Sequence, residues 1–149
     1  MIKHEDDDII ALFQQRFSQE YSVIFDQVPV EVCYQDNQFL VRLANADVLT
    51  VDNVLVATGI QPNSDVLGLH NTDICCNDQG FIQVDDRLET AVKNVYAFGD
   101  IIGRYQFRHS ANFEGQFLFD HVVNNDSREV ITYPPVPYAV FTSPQVAGV

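Results

Sequence analysis

The stretch that decides the fold of this chain reads Val95-Tyr96-Ala97-Phe98-Gly99-Asp100. It predicts a short buried strand over 94–98 that ends at a Gly-Asp pair, with a helical pattern beginning about seven residues later. Glycine lets a ligand approach the backbone closely, and a carboxylate at a strand end can accept hydrogen bonds from sugar-like hydroxyls. The N-terminus of the following helix favours a nearby phosphate. Taken alone, a Gly-Asp pair after a strand is more often only a turn.

The residues before this stretch predict one helix and a series of short strands. Three aspartates open an apolar stripe at helical spacing, which predicts a helix over 6–20, and we interpret the acidic run as helix capping rather than as a ligand site. β-rich runs at 22–25, 30–34, 38–43 and 47–51 predict strands, several of them paired as hairpins. The continuous apolar run at 54–57 predicts a strand buried on both faces.

The residues after it predict a further helix and a change of domain. A turn at 77–80 leads into a predicted strand at 81–84, and a broad apolar pattern predicts a buried helix over 107–123. Three prolines within 133–137 exclude a helix there and indicate a domain boundary. A strand is predicted from Tyr138, and the chain ends at Val149 within an apolar pattern, so we expect an incomplete fragment.

Composition excludes several classes of function. The formal net charge of -13, with only 8 Lys and Arg, argues against nucleic-acid and anionic-membrane partners. No apolar run is long enough to span a bilayer, and the acidic N-terminal segment does not match a secretory signal, so we expect a cytoplasmic protein. The three cysteines are not spaced as a zinc or redox motif, and we expect no metal site.

Three separately placed segments resemble the pyridine nucleotide-disulfide oxidoreductases, in particular the dihydrolipoamide dehydrogenases. The Val-Ala-Thr-Gly-Ile-Gln-Pro-Asn sequence at 56–63 is similar to the segment that leaves the family's nicotinamide-binding domain. Thr90 followed by Tyr-Ala-Phe-Gly-Asp at 96–100 is similar to the segment that returns the chain to the flavin domain. Residues 138–147 are similar to the opening of the dimerisation domain.

The resemblance implies a mixed α/β fold, an incomplete part of a three-layer FAD- and NAD(P)-binding architecture. Residues 1–60 would form the C-terminal half of the NAD(P)-binding domain and residues 61–132 the returning segment of the FAD-binding domain. Residues 133–149 would begin the dimerisation domain. It also implies a homodimer, or self-association through apolar surface that the chain leaves exposed.

The same resemblance implies which residues bind cofactor. Asp100 would accept hydrogen bonds from the ribityl chain of FAD, and Gly99 would allow the close approach. Residues at the start of the 107–123 helix would lie beside the isoalloxazine ring, although a surface or capping role is an equal alternative for His109. The implied cofactor-binding residues are Thr58, Gly59, Gly99, Asp100, Phe107, Arg108, His109 and Ala111.

Departures from the family pattern limit what this chain would do alone. The sequence contains no Gly-x-Gly-x-x-Gly turn and no redox-active Cys-x4-Cys pair, and no residue is assigned to the family's His-Glu acid/base pair. We therefore predict no catalytic residue and expect the isolated chain to be inactive. Cys75-Cys76 invites comparison with the metal-capturing pair of mercuric reductases, but small buried or edge cysteines are the simpler interpretation.

The parent enzyme would transfer electrons between NAD(P)H, FAD and a dithiol or disulfide. Dihydrolipoamide dehydrogenase is the first hypothesis; mercuric, mycothione and glutathione reductases and the soluble transhydrogenase share the motifs. A hypothesis of another class is a non-catalytic, self-associating structural module.

Overall fold

The computed structural model describes residues 2, 4–124 and 130–149. Residues 125–129, which belong to the predicted returning flavin segment, lie outside the described residues. The chain forms two compact units. The first comprises the residues up to Thr58 together with Tyr138–Gly148, and the second comprises Gly59–Pro137 with Val149. Both α-helices and β-strands are present, so the predicted mixed α/β class is confirmed.

The first unit begins with helix α1, Asp7–Glu20, which confirms the helix predicted over 6–20. Asp7 and Asp8 occupy its first turn, where carboxylates interact favourably with the positive end of the helix dipole. Phe13 is its buried residue, and the ring of Phe17 stacks on it at 5.3 Å between centroids. Ile9 and Leu12 of the same apolar stripe are 41% and 50% exposed, so only part of the stripe is buried.

An antiparallel sheet of three strands follows, in the order β1-β2-β3. The β1-β2 hairpin turns at Asp36 and Asn37, both with positive φ, a conformation that these two residue types tolerate. A separate antiparallel pair, β4 and β5, ends the unit. The strands are β1 Pro29–Gln35, β2 Gln38–Leu43, β3 Val48–Val51, β4 Tyr138–Val140 and β5 Val146–Gly148.

Of the predicted strands, two do not form and two are reduced to single β-bridges. The runs at 22–25 and 54–57 form no strand, and Leu55 and Val56 are 91% and 77% exposed. The run at 81–84 makes one antiparallel bridge, Cys76 to Ile82, and the run at 94–98 makes another, Glu89 to Tyr96. Apolar composition alone does not make a strand, because a strand also needs a neighbour to accept and donate its backbone hydrogen bonds.

The second unit is built around helix α2, Arg108–Leu118, which continues as a π-helix over Phe119–Val123. Together they confirm the helix predicted over 107–123. Short 3₁₀ helices form at Asn63–Leu67, Leu69–Asn71 and Gly99–Ile102. No helix among the described residues is both long and apolar enough to cross a membrane.

The core of the second unit lies under α2. Half-buried hydrophobic side chains pack against a group of four buried residues, of which Leu88 is 0% exposed. The backbone of Leu88 has a positive φ, and its carbonyl accepts the N–H of Ala97 at 3.0 Å. This contact places the segment that leads to Gly99 beside the core. The buried group is Leu88, Phe117, Leu118 and Ile131.

Candidate functional site

The predicted Gly-Asp pair opens the 3₁₀ helix Gly99–Ile102, here named the Gly99 turn, which packs against α2. Gly99 is buried and has φ +76°, a conformation that favours glycine. A Cβ built on Gly99 would lie 3.4 Å from the Cβ of Ala111. One turn further along α2, a Cβ on Gly115 would lie 3.2 Å from the Phe98 ring. Small residues on both elements therefore permit the close approach of turn and helix.

Asp100 extends from this turn, and its side chain has no partner within the part of the chain that the structure describes. Its residue is exposed, and among the described residues its carboxylate makes neither a hydrogen bond nor an ion pair. The backbone carbonyl of Asp100 accepts the Gly103 N–H at 3.1 Å, which closes the turn. A free carboxylate on a rigid backbone can accept several hydrogen bonds from a ligand rich in hydroxyls.

The first turn of α2 lies beside the Gly99 turn and presents donors. Phe107 is the residue before the helix, and no side chain caps the first backbone N–H groups. The first turn carries no acidic residue, so the positive end of the helix dipole is not neutralised locally. The Ser110 side chain is buried and its hydroxyl has no partner among the described residues. The rings of Phe107 and His109 stack at 5.2 Å.

A buried carboxylate that the sequence did not identify as functional joins α2 to the Gly99 turn. Glu114 is 0% exposed; its Oε2 accepts the Gly99 N–H at 2.5 Å, and its Oε1 accepts the Tyr133 O–H at 2.6 Å. Arg104 approaches the other side of Tyr133, with its guanidinium 5.3 Å from the ring centroid. Glu114 lies three residues after Ala111, a spacing that places both side chains on one face of a helix. This spacing is the one sequence signal that could have predicted Glu114 beside the Gly99 turn.

The pKa of the Tyr133 hydroxyl depends on its burial and on its hydrogen bond to Glu114. Burial, and then the hydrogen bond to Glu114, raise the pKa of Tyr133 from 10.0 to about 12. The protonated form is therefore favoured in the folded protein. The resulting stabilisation is complete below about pH 10 and is lost as the pH rises through about 12.

Tyr133→Phe is expected to reduce the alkaline loss of stability. Between about pH 10 and pH 12 the wild-type chain should lose about 1 kcal/mol more unfolding free energy than the variant, a value reduced for the partial exposure of the ring. Urea unfolding at the two ends of this range measures the difference, and the other tyrosines titrate in both proteins. Equal losses in the two proteins would contradict the assignment.

The other predicted cofactor-binding residues, Thr58 and Gly59, lie at the boundary between the two units of the chain. Thr58 ends the first unit and Gly59 begins the second, and both are exposed. Gly59 has φ +124° and nothing within 4 Å of an added Cβ, so its backbone conformation and not crowding favours glycine. Cys75 and Cys76 are free and exposed, so the prediction that they are buried is wrong, although Cys76 does form an edge bridge. The part of the chain that the structure describes contains no cluster of three or more metal-ligating His, Cys, Asp or Glu side chains.

Comparison with known proteins identifies the family. Residues 1–115 match the sequence profile described as pyridine nucleotide-disulphide oxidoreductase. The chain belongs to this family. Dihydrolipoyl dehydrogenases of this family are similar to the chain: that of Buchnera aphidicola is 27% identical over 100% of the chain, and that of Chlamydia pneumoniae is 32% identical over 96%. The chain spans 32% of the length of each of these relatives.

A solved structure of the same family has a similar fold. The HOCl-induced flavoprotein disulfide reductase RclA from Escherichia coli is 28% identical, with a TM-score of 0.84 over 98% of this chain and 34% of that chain. The predicted family and the predicted flavoprotein-type fold class are thereby confirmed. Members of the pyridine nucleotide-disulphide oxidoreductase family use FAD and NAD(P), so the site must be tested against a flavin nucleotide.

The residues of the Gly99 turn and α2 fit the flavin nucleotide. The exposed Asp100 carboxylate can accept hydrogen bonds from ribityl hydroxyls, and the uncapped N–H groups after Phe107 can donate to carbonyl or phosphate oxygens. Gly99 and Ala111 let the turn and the helix approach closely, and the stacked Phe107 and His109 rings offer an aromatic surface at the helix start. The carboxylate acceptor therefore suits the hydroxyls of such a ligand, and the backbone donors suit its carbonyl or phosphate oxygens.

Proposed function

We propose that this chain supplies the returning flavin-binding segment of an FAD-dependent NAD(P)-disulfide oxidoreductase, with dihydrolipoyl dehydrogenase as the first candidate. The observation that carries the proposal is the Asp100 carboxylate, which has no partner among residues 2, 4–124 and 130–149 and follows a turn packed against α2, whose start is uncapped. In the complete enzyme FAD would relay electrons between the nicotinamide and a dithiol or disulfide. The role of this chain would be to orient the flavin through Asp100, Phe107, Arg108, His109 and Ala111.

The proposal divides the chain as the sequence motifs do. Residues 1–60 would belong to the NAD(P)-binding domain, 61–132 to the FAD-binding domain and 133–149 to the dimerisation domain. Thr58 and Gly59 would then lie where the chain leaves the nicotinamide domain. The change of compact unit between Thr58 and Gly59 supports a boundary at this position.

The isolated chain would not catalyse the reaction. Its three cysteines are free and exposed, and none is separated from another by the four residues of the family's redox pair. Exposed free thiols suit a reducing compartment, which supports a cytoplasmic location. Homodimer formation or self-association is supported by exposed apolar side chains in the first unit, where Leu55 is 91% and Phe141 is 84% exposed.

A disulfide reductase similar to RclA is the second candidate parent. The similarity to the RclA structure extends over 98% of this chain, and the RclA sequence of Escherichia coli is 31% identical over 131 residues. With either parent, the flavin would lie against the same turn and helix of this chain. The flavin-binding experiment below therefore applies to both.

Titration of the purified chain with FAD, followed by flavin fluorescence, tests the proposal. Saturable binding is expected, and Asp100→Ala should weaken it at least about tenfold, because the ribityl hydroxyls would lose a charged acceptor. Asp78→Ala is the matched control, since it removes an exposed carboxylate from another turn of the same unit. An absence of saturable binding, or equal affinity for all three proteins, would overturn the proposal.

A further inference from the structure

We propose that Glu114 is a positioning residue, whose carboxylate holds the Gly99 turn in the conformation that presents Asp100 to the flavin. Tyr133 would in turn hold the Glu114 carboxylate in place. The expected effect of Glu114 on flavin affinity rests on the proposed function. Its structural premise, that the carboxylate fixes the turn, concerns the chain without any ligand.

The contacts of Glu114 join three separate parts of the second unit. One carboxylate oxygen accepts the backbone N–H of Gly99 at 2.5 Å, and the other accepts the hydroxyl of Tyr133 at 2.6 Å. Gly99 begins the turn, Glu114 lies in the middle of α2, and Tyr133 lies in the segment before the proline-rich connection. Because a single carboxylate receives both donors, displacing it would release the turn and the tyrosine together.

Burial indicates that this arrangement has a specific role. A carboxylate that is 0% exposed is costly to remove from water and is retained only where donors satisfy both of its oxygens. Arg104 approaches the hydroxyl of Tyr133 at 3.5 Å and does not contact Glu114 directly. The two donors that compensate the carboxylate are therefore Gly99 and Tyr133, which makes the position of Gly99 sensitive to Glu114.

The geometry of the turn transmits this effect to Asp100. Ala111 and Glu114 lie on one face of α2 and both face Gly99. An added Cβ on Gly99 would lie 3.4 Å from the Ala111 Cβ, and the Glu114 carboxylate accepts the Gly99 N–H. Asp100 follows Gly99 directly and has no side-chain partner of its own among the described residues. The backbone that Glu114 holds therefore fixes the Cα–Cβ bond of Asp100, and with it the region that the carboxylate can reach.

Amide hydrogen exchange on the flavin-free chain tests the premise. In Glu114→Gln the Gly99 amide should exchange about tenfold faster or more, because a charged acceptor is replaced by the weaker neutral amide oxygen. The Ala97 amide, bonded to the Leu88 carbonyl at 3.0 Å, is the internal control for general loss of stability. Equal acceleration at Gly99 and Ala97, or none at Gly99, would overturn the proposal.

Tyr133→Phe provides a milder second variant. It removes the donor to Oε1 and leaves the Glu114 carboxylate and the aromatic ring in place. We expect a smaller but selective acceleration at Gly99, by about threefold. An unchanged Gly99 amide in this variant would show that Tyr133 does not hold the carboxylate, and that part of the proposal would be wrong.

FAD titration tests the consequence and separates the two proposals. Glu114→Gln should weaken FAD binding by about tenfold. The double variant Glu114→Gln/Asp100→Ala should bind FAD no more weakly than Asp100→Ala alone, because both substitutions act on the same contact, that of Asp100 with FAD. Additive losses would overturn the positioning role. If the wild-type chain bound no FAD, the proposed function would fail, whereas the exchange of the Gly99 amide would still decide whether Glu114 fixes the turn.

Discussion

Replacing Leu88 with alanine is expected to lower the unfolding free energy of the second unit by about 2–5 kcal/mol. Leu88 is 0% exposed and lies with Phe117, Leu118 and Ile131 in the buried group under α2. Truncation removes apolar contacts and leaves a cavity that the surrounding helix can fill only in part. Leucine and alanine both carry a Cβ at the positive φ of this position, so the change measures lost packing and not altered backbone strain.

Urea unfolding followed by far-ultraviolet circular dichroism measures this loss. Leu67→Ala is the matched control, because Leu67 belongs to the same unit and is 54% exposed. The control should change the unfolding free energy by no more than about 0.5 kcal/mol. Similar losses for the two leucines would show that the core of the second unit does not depend on Leu88.

Replacing Gly103 with alanine is expected to lower the unfolding free energy by about 2–4 kcal/mol, through two effects that add. Gly103 ends the Gly99 turn with φ +69°, a left-handed conformation that disfavours alanine. In addition, the new Cβ would lie 2.6 Å from Cγ of Phe81, well inside the normal separation of two carbon atoms. The Phe81 ring would have to move, and its neighbour Ile82 is buried and donates its N–H to the Ile101 carbonyl.

Gly68→Ala separates the two effects. Gly68 has nearly the same backbone conformation, φ +65°, but an added Cβ would meet its nearest atom, Nδ2 of Asn71, at an ordinary 3.6 Å. Only the backbone term, about 1 kcal/mol, is expected there. The difference between the two variants in urea unfolding gives the cost of the Phe81 overlap, and equal losses would show that the ring moves without cost.

The two stability predictions bear on function because the same core supports the site. Leu88 accepts the Ala97 N–H through its carbonyl, and Ala97 lies two residues before Gly99. Gly103 closes the turn from its other end by donating to the Asp100 carbonyl. Three interactions therefore fix the backbone of Asp100: the packing of Leu88 and Ala97 before it in the chain, the turn closed by Gly103 after it, and the hydrogen bond from Gly99 to Glu114.

Local patterns predicted the elements that local interactions stabilise. The helices over 6–20 and 107–123 were predictable because a repeating apolar stripe specifies a helix. The stripe did not specify the buried face of α2, whose buried residues include the polar Ser110 and Glu114. The β1-β2 hairpin was predictable because Asp36 and Asn37 suit its tight turn. The runs at 54–57 and 94–98 were predicted wrongly, since a strand depends on a partner that no single segment reveals.

The sequence by itself determined the family and the mixed α/β class, and it predicted cofactor-binding roles for Gly99 and Asp100, because these depend on motifs that adjacent residues define. Only the tertiary structure decided that Glu114 is buried and that Tyr133 and the Gly99 backbone share its carboxylate. A glutamate on a helix normally lies on a solvated face, and its burial depends on what packs against that helix. Residues separated by 15 and 19 positions in the chain meet at this carboxylate, and their meeting is a property of the fold.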